Sequence, residues 1–500
     1  MKNERIMNRD LFRDKVHGCW AGKAIGGTLG APYEWTKEMN DVTFYPPDLK
    51  KGGIPNDDLD LQLVWLLAAE RFGALNVNER ILAELWTERI TGPWNEYGVC
   101  RNNIRMGLYP PLSGSCGNDT WKWSNGAWIR SEIWACFYPG TPGQAAIAAY
   151  GDACCDHCGE GIYAEIFTAA LESAAFVESD IIKLIHCALS LIPEECRIAN
   201  LIRNAVKSYK EGKTLKEARD KVMEEVADLG FFQAPGNVAF GVLGLLYGEG
   251  DFGKTVSYAV NCGDDADCSG GFAGAVIGII LGRSNIPEKW LEPIGDTIVT
   301  CSIENTGRGI GRFLPTTLTE LTQRVIALAE AAAMKESFLT QFTSEKLEFS
   351  AELLPAWEKR MVRNFLNTVN PYALTFDQSW GRVIFEFENG PYIEEGKPLT
   401  IRVRMKSIYS ELPLLTLRPR MPENWQIDYP EINLTAPDIS DSVTFTITPY
   451  GIKNSLTALE VELKRHDRML HSIVVLPLVL KGSVGYNQCS ADVILKRKFG

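Results

Sequence analysis

The chain has 500 residues, of which 45% are hydrophobic and 23% are charged. This composition is typical of a folded globular protein, and the length exceeds that of one ordinary domain. The formal net charge of -12 at pH 7 leaves no broad cationic surface for nucleic acid or an anionic membrane, so we expect neither as a partner. A small phosphorylated ligand remains compatible with the composition, because bound cations can invert the local field around a few carboxylates.

The opening segment, residues 1–18, alternates charged residues with short apolar groups and has no continuous apolar core or small-residue cleavage site. It therefore predicts no signal peptide and a cytoplasmic location. The thirteen cysteines are an odd number, and a chain of this length can build a hydrophobic core without disulfides. We therefore expect reduced thiols.

Helical periodicity dominates residues 8–333, where apolar residues mostly recur at intervals of three and four. Loops rich in glycine, proline and tryptophan separate the predicted helices. The last of these helices is predicted at residues 316–335, and a mixed polar segment follows it. We expect a compact all-α domain over residues 1–345 and a linker at 346–358.

Beyond the linker, over residues 359–500, the hydrophobic period changes to two, which is typical of half-buried strands. The predicted strands lie at 383–387, 400–405, 443–448, 459–463, 472–480 and 490–496. Short strands separated by turn residues predict a β-sandwich of about 140 residues. We find no catalytic pattern in it, and three roles stay open: carbohydrate binding, formation of a homo-oligomer, and covering of an active cleft.

Glycines recur every four residues in two places, which are Gly18, Gly22, Gly26 and Gly30, and Gly270, Gly274, Gly278 and Gly282. In a helix this spacing lines one face, where the missing side chains allow another backbone to approach closely. Each glycine costs about 1 kcal/mol in helix propensity, so tight packing has to compensate. The run 268–281 is shorter than the about 20 residues of a membrane helix. We therefore expect two buried helices that cross, and we favour a crossing that also joins the acidic segments beside them.

The first acidic segment, Asn56, Asp57 and Asp58, precedes an apolar helix predicted at residues 61–72. Helix capping would explain these residue types without a metal, because Asn and Asp satisfy the free N–H groups of a first turn. Three consecutive oxygen side chains also suit Mg²⁺, Mn²⁺ or Ca²⁺. Both explanations stay open for this segment.

The second acidic segment, with Asp264, Asp265, Asp267 and then Cys268, begins the second glycine-lined helix. Capping can explain one acid but not three. If the helix is buried, the carboxylates need a compensating positive charge, because burial of unpaired anions is costly. A pair of metal ions would supply that charge.

Three segments, in this order, resemble the signature segments of the ADP-ribosylglycohydrolase family: residues 26–34, which end in Glu34, residues 56–58, and residues 265–275. Segments 123–130, 139–140 and 156–157 resemble the intermediate segments of the same family. The similarity covers about residues 12–330 and leaves the predicted strands outside.

The resemblance implies a compact all-α domain with a centre for two divalent cations, with Mg²⁺ or Mn²⁺ preferred and Ca²⁺ as the alternative. One cation would be held by Asn56, Asp57, Asp58 and Asp267. The other would be held by Glu34, Asp265 and Asp267, with residue 268 as a further ligand. Glu34 or one of the aspartates, Asp58 or Asp265, would act as the general base. The substrate cleft would be lined by Ser124, Asn125, Gly126 and His157.

Three residues depart from the family pattern. Gly27 stands where the family usually has Asp, so one acid is missing there. Asn56 stands where Thr or Ser is usual, and its carbonyl oxygen is still a hard ligand. Cys268 stands where Thr is usual, and a thiol is a poor partner for Mg²⁺, which puts the filling of the second site in question.

Six tryptophans fall between residues 86 and 134, which are Trp86, Trp94, Trp121, Trp123, Trp128 and Trp134. Their usual role is to fill a core, but an aromatic wall also stacks on a purine or on the apolar face of a sugar. The sequence leaves both interpretations open.

These observations favour a metal-dependent glycosidase. Its substrate would be a small riboside or glycoside, such as a nucleoside, or an ADP-ribosylated molecule. A catalytically inactive ligand-binding or scaffold protein that keeps the fold is the alternative, since Gly27 and Cys268 could have removed the chemistry. A metal-dependent phosphohydrolase is a third hypothesis, and it would release inorganic phosphate where a glycosidase releases free sugar.

Overall fold

The computed structural model describes residues 5–46, 49, 52–303, 313–346, 349–407, 415–434, 442–466 and 470–483. Helices dominate up to residue 368, and strands form the part that follows. The described helices are α1 (Arg9–Gly30), α2 (Asp60–Phe72), α3 (Glu79–Glu88), α4 (Asn95–Arg105), α5 (Leu112–Ser115), α6 (Glu132–Phe137), α7 (Pro142–Ala153), α8 (Glu160–Ala175), α9 (Ile181–Leu189), α10 (Arg197–Lys210), α11 (Leu215–Glu225), α12 (Ala234–Gly248), α13 (Phe252–Asn261), α14 (Ala266–Leu281), α15 (Glu288–Ile294), α16 (Leu318–Lys335) and α17 (Ala356–Thr368).

The strands form one small parallel pair and two larger sheets. They are β1 (Ile6–Asn8), β2 (Gln341–Thr343), β3 (Ala373–Gln378), β4 (Gly381–Phe387), β5 (Tyr392–Ile393), β6 (Leu399–Ser407), β7 (Leu415–Arg420), β8 (Gln426–Ile427), β9 (Ile432–Leu434), β10 (Ser442–Thr448), β11 (Leu456–Arg465) and β12 (Leu470–Leu480). β1 pairs with β2, and the two five-stranded sheets have the orders β3-β4-β6-β10-β8 and β5-β12-β11-β7-β9.

The strand-rich character of the C-terminal region is confirmed. A strand covers each predicted position except 490–496, which lies outside the described residues. Both five-stranded sheets contribute to one buried cluster, with Phe385 and Ile401 from the first and Leu417 and Leu476 from the second. The pairing of β5 with β12 is parallel, which departs from the antiparallel sheets of the predicted sandwich. The C-terminal region therefore consists of strands in two sheets over a shared core, arranged as a half-barrel and not as the clear sandwich that the sequence predicted.

Two compact units make up the chain. The helical unit comprises Met1–Pro93, Thr120–Ala153 and His157–Val369, and the strand unit comprises Trp94–Asp119, Cys154–Asp156 and Asn370–Gly500. Within the strand unit, Leu108 and Leu112 add to the buried cluster of the sheets. The predicted domain bounds, 1–345 and 359–500, stay a prediction.

The segment predicted as a linker, 346–358, ends inside a helix. Pro355 precedes the first residue of α17, and Glu358 on that helix is buried. The Glu358 carboxylate forms an ion pair of 2.6 Å with Arg5 and accepts a hydrogen bond of 2.7 Å from the backbone N–H of Gly143. The last three residues of this segment therefore form the start of an amphipathic helix that is anchored within the helical unit, and the rest of the predicted linker stays a prediction.

The two glycine-lined helices, α1 and α14, pack with their backbones in direct contact, which confirms the crossing predicted from the glycine spacing. A Cβ added to Gly22 would lie 1.9 Å from the carbonyl oxygen of Gly274, and one added to Gly26 would lie 2.0 Å from that of Gly270. Since real side chains never approach a backbone this closely, glycine is required at these positions.

Buried apolar side chains surround this helix pair. Phe12 and Trp20 of α1 and Phe272 and Ile277 of α14 are all buried. Among the described residues, no helix has both the length and the apolar composition needed to cross a membrane.

Replacement of Gly274 by alanine tests the helix contact. The added Cβ would lie 2.2 Å from the carbonyl oxygen of Gly22, so the helices must separate, and we expect the free energy of unfolding to fall by about 1–3 kcal/mol. Gly151→Ala in α7 is the matched control, because its Cβ would lie 3.8 Å from the nearest described atom and a helical alanine is favoured by up to about 1 kcal/mol. Urea unfolding of both variants measures the difference, and equal stabilities would contradict the close contact.

Candidate metal centre

The contact between α1 and α14 determines where the acidic residues meet. A Cβ on Gly30, the last residue of α1, would lie 2.3 Å from the carbonyl oxygen of Ala266, the first residue of α14. Glu34 follows α1 after one short 3-10 turn, and Asp265 and Asp267 flank Ala266. The helix packing therefore brings Glu34 beside the acids of the second segment.

Helix capping does not account for either acidic segment. The N-cap residue of α2 is Leu59, and that of α14 is Asp265, and neither makes a side-chain capping hydrogen bond. Asp267 Oδ1 accepts a hydrogen bond of 2.8 Å from the backbone N–H of Cys268 in the first turn of α14, but capping by an N-cap side chain explains neither segment. This leaves the metal-ligand hypothesis for both segments.

Within the described residues of the helical unit, two groups of side chains present ligand atoms that lie within 4.8 Å of one another. The first group is Asp58, Asp267 and Cys268, and the second is Glu34, Asp265 and Asp267. Asp267 belongs to both, so the geometry offers two adjacent cation positions that share one carboxylate. Cys268, predicted beside the second cation, is grouped here with Asp58, and its thiol lies 3.5 Å from Asp58 Oδ1. The three aspartates are buried, and Glu34 is half-buried.

Asn56 and Asp57 lie next to these groups. The Asn56 side-chain amide donates a hydrogen bond of 2.9 Å to Asp267 Oδ2, and its Oδ1 accepts one of 2.7 Å from the backbone N–H of Asp58. Asp57 is half-buried, and its charge raises the pKa of Glu34, in a smaller degree than burial and Asp267 do. The structure thus gathers all of the predicted ligands into one region.

Of the predicted substrate residues, Asn125 reaches the acid groups directly. Its Nδ2 donates to Asp265 Oδ2 at 2.6 Å, and its Oδ1 accepts from the Trp128 indole N–H at 3.0 Å. Ser124 and His157 are buried and paired with each other, with 3.2 Å between Ser124 Oγ and His157 Nε2. Their role in contacting substrate therefore stays a prediction.

Gly126 is also buried, and its carbonyl oxygen accepts a hydrogen bond from the Arg130 guanidinium. The tryptophans nearby follow the core interpretation, because Trp86, Trp128 and Trp134 are at most 2% exposed. Trp128 packs edge-on against Phe272 of α14, with 5.9 Å between ring centroids. The indole N–H of Trp128 thus holds the side chain of Asn125, which in turn donates a hydrogen bond to Asp265.

Lys23 is a buried cation that the sequence analysis did not identify. Its Nζ lies 2.8 Å from Glu132 Oε1 and 3.7 Å from Asp58 Oδ2, and it donates to the carbonyl oxygen of Ile129 at 2.6 Å. Burial alone would lower the pKa of Lys23, but the carboxylates of Glu132 and Asp58 raise it, so the side chain is charged. The sequence signal for this buried cation was a lysine among the glycines and apolar residues of α1.

Burial raises the pKa of the three carboxyls Glu34, Asp58 and Asp265. The pKa of Glu34 rises to about 10, through burial first and then the charge of Asp267. Burial raises those of Asp58 and Asp265 well above their usual range; Lys23 opposes the rise at Asp58, and Asp267 adds to it at both. Carboxylates packed this closely favour a bound proton or a bound cation, because either one relieves their mutual repulsion.

The donor chemistry of the two groups differs. Glu34, Asp265 and Asp267 offer only carboxylate oxygens, which fit a hard divalent cation such as Mg²⁺, Mn²⁺ or Ca²⁺. Burial raises the pKa of the Cys268 thiol well above its usual value, and the neighbouring acids add to the effect. Because a thiol is also a poor partner for a hard cation, Asp58 and Asp267 would be the main ligands of such a cation in this group.

An aromatic residue missed by the sequence analysis flanks Glu34. Trp35 is 43% exposed. Its backbone φ is positive, at 67°, and so are those of Phe232, at 63°, and Asp264, at 62°. Trp35 and Phe232 both hydrogen bond to Asp264, and their rings meet edge to face at 4.2 Å. Each such backbone conformation costs about 1–3 kcal/mol and tends to occur at functional sites.

The raised pKa values predict a pH-dependent response to cations. In the folded, metal-free protein these carboxyls keep their protons at pH values where the same groups of the unfolded chain have lost them. Their contribution to the free energy of unfolding therefore falls as the pH rises above about 4.5. A divalent cation binds the deprotonated carboxylates and displaces these protons, so its affinity increases with pH. We expect Mn²⁺ to raise the midpoint of thermal unfolding more at pH 8 than at pH 6.

Differential scanning fluorimetry at the two pH values measures this shift, with and without Mn²⁺. Asp267→Asn should abolish most of the shift, whereas Asp220→Asn, at an exposed ion pair with Lys216, should retain it. A shift of the same size at both pH values would count against cation binding by these carboxyls.

Among protein-family models, the one for ADP-ribosylglycohydrolase matches residues 8–334. A search of curated proteins found no match. The matched range spans more than half of the chain, contains both acid groups and leaves the two five-stranded sheets outside. This confirms the resemblance seen in the three sequence segments. The chain belongs to the ADP-ribosylglycohydrolase family.

Proposed function

We propose that this chain is a divalent-metal-dependent hydrolase that cleaves the glycosidic bond of an ADP-ribosyl group. A nucleoside or a related riboside or glycoside is the alternative substrate. Membership of the family supports hydrolysis at an ADP-ribosyl glycosidic bond. The observation that carries the metal dependence is the pair of buried acid groups that share Asp267.

Mg²⁺ or Mn²⁺ is the proposed cofactor at both groups, held by Asp58 and Asp267 on one side and by Glu34, Asp265 and Asp267 on the other. When bound, two such cations orient vicinal sugar hydroxyls and lower the pKa of water. The surrounding carboxylates also stabilise positive charge that develops at the anomeric carbon as the bond breaks.

Glu34 is the proposed general base. Asp58 and Asp265 are buried; Lys23 lies 3.7 Å from Asp58, and Asn125 donates a hydrogen bond of 2.6 Å to Asp265, so both face neighbours inside the protein. Glu34 is the most exposed acid of the two groups, which gives its carboxylate access to a water molecule that approaches from solvent. Glu34 therefore accepts the proton of the attacking water.

Trp35 is the proposed aromatic contact for the substrate. It directly follows Glu34 in the chain, and its exposed ring packs against Phe231 and Phe232 at centroid distances of 6.0 and 4.2 Å. Aromatic faces at a polar site stack on planar bases and on sugar rings. An aromatic wall was one of the two interpretations left open for the tryptophans of residues 86–134, and the aromatic contact is proposed here at a different place in the chain.

Asp267→Asn tests the reaction. Because Asp267 belongs to both acid groups, we expect its loss to lower hydrolysis at least about a hundredfold. The assay measures free ADP-ribose or free sugar released from an ADP-ribosylated peptide, a nucleoside and an aryl glycoside, each with Mg²⁺ or Mn²⁺. Asp220→Asn is the control and should keep full activity.

Three outcomes of this assay separate the hypotheses. Release of sugar by the wild type and not by Asp267→Asn supports the hydrolase. A wild type that binds Mn²⁺ but cleaves none of these substrates supports an inactive ligand-binding protein instead. Release of inorganic phosphate from an added phosphomonoester, without free sugar from the other substrates, supports a phosphohydrolase.

Trp35→Ala tests the aromatic contact. Loss of a stacking ring should weaken the binding of ADP-ribose about tenfold, because stacking on one base is worth about 1–3 kcal/mol. Ribose 5-phosphate, which has no base, should bind both proteins equally. Trp357→Ala is the matched control, since Trp357 is 42% exposed and contacts Phe338 and Arg5; calorimetry that shows equal losses in both variants would refute the stacking role.

A further inference from the structure

The oxygen and the nitrogen of the Asn56 side-chain amide form hydrogen bonds with different partners. Oδ1 accepts a hydrogen bond of 2.7 Å from the backbone N–H of Asp58, which forms a local turn of the kind that Asn favours. Nδ2 donates at 2.9 Å to Oδ2 of Asp267. Because the backbone N–H of Asp58 must face an acceptor, this turn fixes the orientation of the amide, and the NH₂ group faces the acid groups.

An amide NH₂ group is a hydrogen-bond donor and offers no acceptor to a cation. The carbonyl oxygen, which the family pattern would direct to the first cation, is engaged by Asp58 instead. A hydrogen bond from an amide to a charged carboxylate is stronger than one between neutral groups and defines the carboxylate's rotation. Asn56 thus contacts Asp267, the acid on which both groups depend.

Gly27 provides the space that this arrangement needs. A Cβ added to Gly27 would lie 2.9 Å from Asn56 Nδ2 and 3.7 Å from Asn56 Cγ, and within the described part of the chain it would meet no other atom closer than 4 Å. Gly27 and Asn56 also line the same pocket, together with Lys23 and Asp58. A side chain at position 27 and the amide of Asn56, the two positions that depart from the family pattern, would therefore compete for the same space.

We infer that Asn56 is a positioning residue and not a metal ligand: its NH₂ group holds the shared carboxylate of Asp267, and Gly27 leaves room for that amide. The inference rests on the metal centre of the proposed function but not on its substrate or reaction. It leaves the first cation with the predicted carboxylates of Asp57, Asp58 and Asp267 and with solvent as its ligands. A carboxylate held in place by an outer hydrogen bond binds metal more tightly than a free one.

Mn²⁺ titration of three variants by calorimetry tests this coupling. Asn56→Ala removes the donor, and Gly27→Ala displaces the amide, so each should weaken Mn²⁺ binding about tenfold. The double variant should be no weaker than Asn56→Ala alone, because an added Cβ has no amide left to displace. Gly151→Ala in α7, where an added Cβ would lie no closer than 3.8 Å to a described atom, should bind Mn²⁺ as the wild type does.

A crystal structure of the wild type with Mn²⁺ provides the second readout. We expect Nδ2 of Asn56 to stay bonded to Asp267 while Oδ1 lies outside the coordination sphere. A distance from Oδ1 to Mn²⁺ of about 2.2 Å, or additive losses in the double variant, would overturn the inference and leave the proposed function standing. A wild type that binds no divalent cation would overturn the proposed function, and this inference with it.

Discussion

The backbone contact between α1 and α14 is the constraint on which the rest of the helical unit depends. At Gly22 and Gly26 the facing carbonyl oxygens lie where a side chain would be, so the two helices can cross only if these positions lack a Cβ. The crossing ends at Gly30 and Ala266, and the acidic residues that continue from those two ends meet there. The glycines lower the helix propensity of α1 and α14, and the close packing that they allow offsets this cost and forms the site.

Much of this arrangement could be predicted from the sequence because it depends on regular spacing. Four-residue glycine repeats specify a helix face, and a period of two specifies strands such as β4 and β11, without knowledge of any partner. The acidic segments were recognisable because their residue types are wrong for buried helix ends unless a cation is near. The hydrogen bond from Asn125 to Asp265 and the exposed placement of Trp35 next to Glu34 depend on loops that have no such periodicity.

The division into units was less accessible for the same physical reason. A helical period shows that a segment is a helix but not which core it joins, and Leu108 and Leu112 belong to the core of the sheets although their surroundings in sequence are helical. Glu358 shows the converse case, since a polar stretch that suggested a linker supplies a buried carboxylate that pairs with Arg5. Buried charges of this kind are visible only when their partners are known.

Charge balance links the fold to the proposed chemistry. Lys23 lies 2.8 Å from Glu132 and 3.7 Å from Asp58, so its positive charge is offset mainly by Glu132, whose other oxygen accepts a hydrogen bond of 2.8 Å from Gln62. This pair is close to neutral as a unit and leaves the carboxylates of Asp58, Asp265 and Asp267 in excess. Had Lys23 paired with Asp58 alone, it would have competed with a cation for the same oxygen. The buried pair of Lys23 and Glu132 therefore preserves, beside Asp58, the negative charge that a divalent cation requires.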